Sequence, residues 1–166
     1  SSEIRKKIKK AKKNPKIFNN EAFNKTMSKV DFDLTNDQKL SLQEINKDLS
    51  SKTKMFRLLQ GDVGSGKTIV ALISALNTIQ SGFQVAFMAP TEILAKQHYK
   101  LAKKLFPKNI VIEFISGKTK YLEKKKIENL IKTNHVNIVF GTHSLFQKKI
   151  NFFKLGYIII DEQHKF

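Results

Sequence analysis

From Phe32 onward, short apolar runs alternate with longer stretches of helical period. MFRLLQ (Met55–Gln60), FQVAFMA (Phe83–Ala89), NIVIEFI (Asn109–Ile115), VNIVF (Val136–Phe140) and GYIII (Gly156–Ile160) are almost continuously apolar. That is the pattern of strands covered on both faces rather than one. Between them, Lys67–Gln80 is apolar nearly all round and stops at Gly82, which predicts a buried helix closed by a glycine. Thr91 is placed to cap a second helix that runs through Leu105, and Tyr121–Lys132 is amphipathic. Ahead of the first strand, a helix starting at Thr35 would carry Leu42, Ile45 and Leu49 on one face. Strands alternating with helices of this length predict the α/β class, with a parallel sheet sandwiched by helices. Ligands of such sheets bind at the C-terminal ends of the strands.

At 166 residues and 40% hydrophobic content the chain supports one core. No apolar run is long enough to span a membrane, and SSEIRKKIKKAKK at the start lacks the apolar segment of a secretory signal. With no cysteine in the sequence, the expected location is cytoplasmic, without a membrane partner. A first residue of Ser rather than Met suggests a piece of a longer protein. Residues 1–30 hold ten basic side chains against two acidic ones and read as a basic linker or tail, leaving 31–166 as the folded unit. The whole chain carries 31 Lys and Arg against 14 Asp and Glu, a net charge of +17 that would draw a polyanion such as nucleic acid. Arg5 and Arg57 are its two arginines, however, and AT-rich coding also produces Lys, Ile and Asn in excess. Charge does not decide between these explanations.

The glycine run points to a phosphate ligand, although a P-loop alone does not choose between kinases, GTPases, transporters and motors. GDVGSGKT (Gly61–Thr68) fits G-x-x-x-x-G-K-S/T and stands between a predicted strand and a predicted helix, the P-loop context. In that arrangement the backbone N–H groups of Gly61, Asp62, Val63, Gly64, Ser65 and Gly66 surround phosphate oxygens. Lys67 neutralises the β- and γ-phosphates, and the Thr68 hydroxyl goes to Mg²⁺. At the other end of the chain, Asp161 and Glu162 follow an apolar strand directly. Beside a P-loop, Asp161 would hold the Mg²⁺ water shell and Glu162 would orient an attacking water, a pairing that indicates hydrolysis more than transfer to a second substrate.

DEQH (161–164) is a DExH box, and with it the chain resembles superfamily 2 helicases and translocases. RLLQGDVGSGKT (Arg57–Thr68), QVAFMAPTEILAKQH (Gln84–His98), GTHSLFQ (Gly141–Gln147) and DEQHKF (Asp161–Phe166) are similar to the first RecA-like motor lobe of RecG-type ATP-dependent DNA helicases. Transcription-repair coupling translocases are also similar, but they usually carry DEEH, and PriA-type helicases depart further around the P-loop. The resemblance covers Phe32 to Phe166. It implies a monomeric DNA motor that burns ATP with Mg²⁺ to unwind or remodel branched DNA in recombination and repair.

The resemblance also implies roles for individual residues. Gln38 would read the adenine edge, although Thr35-x-x-Gln38 equally forms a capping box at its own helix start. Pro90, Thr91 and Glu92 would meet one DNA phosphate and Gly141, Thr142 and His143 another, with Ile115–Lys118 as a third contact or an ordinary turn. Gln163 and His164 would couple the ATP and DNA sites. Lys165 stands where the family generally has Arg, a point charge in place of a planar fork. The sequence stops at Phe166, so the lobe is expected to be incomplete at its C-terminus and the isolated chain nearly inactive. The alternative is a non-catalytic nucleotide- and DNA-binding module; intact Lys67, Thr68, Asp161 and Glu162 weigh against it.

Overall fold

The computed structural model describes residues 55–59, 66–146 and 150–161. In chain order they form β1 (Met55–Leu59), α1 (Lys67–Gln80), β2 (Gln84–Ala89), α2 (Glu92–Leu105), β3 (Ile112–Ile115), α3 (Tyr121–Lys132), β4 (Ile138–Thr142), a 3-10 turn (His143–Phe146) and β5 (Leu155–Asp161). The strands make one parallel sheet in the order β1-β5-β2-β4-β3. The expected helix after Thr35 and the basic segment 1–30 lie outside the described residues.

Strand periodicity distributes the core onto two faces. Val85, Phe87, Ile138, Phe140, Tyr157 and Ile159 join α1 and α2 in one cluster. The intervening Ala86, Met88, Val139, Ile158 and Ile160 join Ile127 and Ile131 of α3 in the other. Successive strand residues point to opposite faces, so strands covered on both sides must be apolar at every position. Eleven of the fourteen residues of α1 are buried. Two of its buried hydroxyls find partners inside: that of Ser74 donates to Ala71 O at 2.8 Å and lies 3.2 Å from the Tyr157 hydroxyl, while Thr78 donates to Ser74 O at 2.9 Å.

The helix ends follow the residues predicted to set them. Gly82 takes a φ of 93°, which a side chain disfavours, and there Gly82 N–H donates to Ile79 O at 3.0 Å and Phe83 N–H to Thr78 O at 3.2 Å. These two bonds satisfy the last carbonyls of α1 and turn the chain into β2. Thr91, extended at φ −131°, accepts the Leu94 N–H at 3.2 Å and caps α2.

Strand ends shift by more. The predicted strand from Asn109 begins at Ile112, because Ile110 N–H closes a turn onto Pro107 O at 3.1 Å. The strand predicted at Val136–Phe140 runs from Ile138 to Thr142. Ile110 and Val136 are nevertheless buried. Apolar character marked burial there, while the hydrogen-bond ladder starts two residues later.

Gly156 marks a second constraint. Gln84 pairs with Leu155 and Val85 with Tyr157, so Gly156 is an extra residue on β5. A Cβ on it would sit 2.6 Å from the Phe83 Cβ, the stem of a side chain that cannot swing aside. Gly156→Ala is expected to lower stability by about 1–3 kcal/mol, read as a reduced urea midpoint at constant slope. An unchanged midpoint would show that the backbone gives way without cost.

Candidate functional site

Because all strands are parallel, their C-terminal ends share one edge of the sheet. That edge has two halves. β1 and β5 adjoin on one side, with Leu59 opposite Asp161, so the strand entering the glycine loop and the strand ending in the acid finish level with each other. β2, β4 and β3 adjoin on the other side, with Ala89 opposite Thr142 and Ile115 opposite Gly141. The segments after β2, β3 and β4 are the three expected DNA contacts.

On the first half, α1 opens at Gly66, whose φ of 100° suits a glycine. No side chain caps this helix and its first turn holds no acid. The positive end of its dipole therefore lies beside exposed Lys67 and buried Thr68. A donor set of lysine, threonine hydroxyl and helix amides suits a polyphosphate, and one carboxylate close by suits Mg²⁺, which keeps several waters and leans on substrate phosphates. Gly61–Ser65, Gln38, Glu162, Gln163 and His164 lie outside the described residues.

Asp161 is the carboxylate that ends β5 beside β1. It continues the parity of Tyr157 and Ile159, which face α1 and α2. It therefore points to the same side of the sheet as the start of α1. It is 0% exposed, and its Oδ2 lies 2.9 Å from Nε2 of His98, itself 6% exposed. An ionised carboxylate has only acceptors, so the His98 Nε2–H is the donor. His98 belongs to the buried stripe of α2, with Leu94, Ala95, Ala102 and Leu105, and its ring packs 4.7 Å from that of Phe87. Sequence reasoning gave His98 no role. The available signal was a histidine at a core position of an amphipathic helix, which alone does not say what it faces.

On the second half, exposed Pro90 and half-buried Thr91 precede α2. The Thr91 hydroxyl accepts from Leu94 N–H and still carries a proton to donate. Glu92 accepts the Gly117 N–H at 2.9 Å, so its carboxylate fastens the turn after β3 to the start of α2. That turn is ordered internally, with Ser116 N–H donating to Thr119 Oγ1 at 2.9 Å and Lys118 N–H to Ser116 Oγ at 3.1 Å. Gly141 is buried, and the Thr142 hydroxyl lies 2.7 Å from that of Ser144. The His143 Nε2 turns inward, 3.4 Å from the main-chain oxygen of Asp161. Among the described residues no helix is long and apolar enough to cross a membrane.

A parallel sheet with a glycine-loop strand beside an acid-tipped strand, and helices on both faces, is the RecA-like α/β arrangement of nucleotide-binding proteins. The chain belongs to the DEAD/DEAH box helicase family, whose model matches residues 35–166. It is 47% identical over 152 residues to the ATP-dependent DNA helicase RecG of Borreliella burgdorferi, covering 91% of this chain and 22% of that protein. It is 45% identical over 159 residues to RecG of Aquifex aeolicus, covering 95% of this chain and 20% of the relative. A solved structure of RecG bound to a three-way DNA junction matches with a TM-score of 0.84 at 44% identity, over 98% of this chain and 22% of that one. The chain thus spans about a fifth of the length of the relatives it matches.

Proposed function

We propose that this chain is the first motor lobe of an ATP-dependent DNA helicase that unwinds or remodels branched DNA in recombination and repair, working as a monomer in the cytoplasm. The observation that carries the reading is the parallel pairing of β1 with β5, which brings Leu59 and Asp161 level across 102 residues of sequence. Bound Mg·ATP supplies the phosphoanhydride to be cleaved and a cation that offsets charge on the β- and γ-phosphates. The glycine loop from Gly61 to Gly66 wraps the phosphates, Lys67 balances their charge, and Thr68 and Asp161 hold the metal and its waters. Glu162 orients the attacking water, and Gln38 takes the adenine. On the other half of the edge, Pro90, Thr91 and Glu92, Gly141, Thr142 and His143, and Lys118 form a face for the phosphates of DNA, and Gln163 and His164 couple the two sites. Backbone contacts of this kind support movement along a strand without reading its sequence. The 44% identical RecG structure on a three-way junction supports a branched substrate.

The test is ATP hydrolysis by a protein containing this lobe and a second one, with and without three-way junction DNA. Stimulation by the junction is expected, and a rate indifferent to DNA would remove the motor reading. Lys118 is exposed on the turn held by Glu92. Lys118→Ala should weaken junction binding and reduce the slope of log affinity against log salt by about 0.7–0.9, the share of one phosphate contact. An unaltered slope would take Lys118 off the DNA.

A further inference from the structure

His98, buried against Asp161, has no part in the function above. Asp161 is 0% exposed and His98 6% exposed, and they meet at 2.9 Å. Two polar groups placed this deep cost more in lost hydration than an apolar pair of similar volume would. Fold stability is a weak reason for them. Position offers a better one: Asp161 ends the strand beside the glycine-loop strand, and if it holds the metal as proposed, its carboxylate orientation would set where the cation sits.

We propose that His98 is a positioning residue for Asp161. Its Nε2–H fixes Oδ2 and thereby sets the rotamer in which the carboxylate meets the metal shell. The inference rests on the reading of Asp161 as a metal-binding residue. It also ties that residue to the opposite half of the edge. His98 lies on α2 seven residues after Thr91, about 10 Å along the helix axis. Any displacement of the start of α2 by a phosphate at Thr91 is carried by a rigid element to the hydrogen bond on Asp161. The His143 Nε2, 3.4 Å from Asp161 O, makes a second and weaker contact from the turn after β4. Asp161 is thus held through its carboxylate by the helix after β2 and through its backbone by the turn after β4.

Mn²⁺ binding to the full chain with a slowly hydrolysed ATP analogue, followed by electron paramagnetic resonance, tests this in His98→Leu, His98→Gln and Asp161→Asn. His98→Leu keeps the volume and loses the donor, and is expected to weaken Mn²⁺ binding about 10–100-fold, the usual effect of removing a partner that orients a metal ligand. His98→Gln sets an amide N–H near the Nε2 position and should recover most of that loss. Thermal melting of the metal-free variants separates a purely structural role. If His98→Leu lowers the melting temperature but binds Mn²⁺ as wild type does, while Asp161→Asn binds it poorly, the positioning role is overturned and the metal reading stands. If Asp161→Asn also binds Mn²⁺ normally, both fall. Should His98→Leu fail to fold, the wild-type chain still decides. Nitrogen-15 spectra of its histidines must show the proton of His98 on Nε2, and a proton on Nδ1 alone would refute the inference.

Discussion

ATP turnover by the 166-residue chain alone will be about 10³–10⁵-fold slower than turnover by a protein in which the same residues face a second RecA-like lobe. The reason is a missing positive charge. As phosphoryl transfer proceeds, negative charge spreads over oxygens that project away from the glycine loop, and an arginine reaching in from outside stabilises it. The sequence holds two arginines. Arg57 sits in β1 opposite Ile159, two residues back from the strand end where Leu59 meets Asp161. Arg5 belongs to the basic segment ahead of the motor motifs. In the proposed site Lys67 meets the phosphates from the loop side, so it cannot also approach from the opposite side. Single-turnover hydrolysis of labelled ATP, with the chain and with the two-lobe protein at equal concentration, measures the ratio. Comparable rates would mean that residues of this lobe alone complete the site.

The described helices were legible in the sequence because their ends are local. Gly82 and Thr91 act on backbone groups within a turn of themselves, the amphipathic run Tyr121–Lys132 buries Ile127 and Ile131, and the structure uses each as predicted. Strand ends were less legible. Whether Ile110 or Val136 enters the ladder depends on where β3 and β4 meet, which no stretch of either encodes. Instead, the Val111 N–H donates to the Asn137 side chain at 2.8 Å and the Asn137 N–H returns to Val111 O at 3.0 Å, and the ladder begins beyond that exchange. Pairing of the glycine-loop strand with the acid-tipped strand was readable only through motif chemistry, since the two carry no complementary pattern. The His98 contact was hidden for a deeper reason. Its partner is set by the parity of Asp161 on β5 and the rotation of α2 together, both of them properties of the assembled sheet.

Lys67→Ala should reduce ATP hydrolysis by the two-lobe protein about 10²–10³-fold, as loss of one preorganised charge-stabilising group does, while leaving its affinity for a DNA junction close to wild type. The expectation of separate effects comes from the layout of the edge. Lys67 is exposed in the first turn of α1, a helix that contacts β5, whereas the proposed DNA face follows β2, β4 and β3. An exposed helix-start lysine replaced by alanine changes stability by only about ±0.5 kcal/mol, so lost turnover would not reflect unfolding. Measuring kcat, junction Kd and melting temperature on one preparation distinguishes the outcomes. A variant that still unwinds DNA would separate the motor from the phosphate cradle. Loss of junction binding along with turnover would mean that the two halves of the edge form one site, with phosphates of both ligands sharing the same lysine.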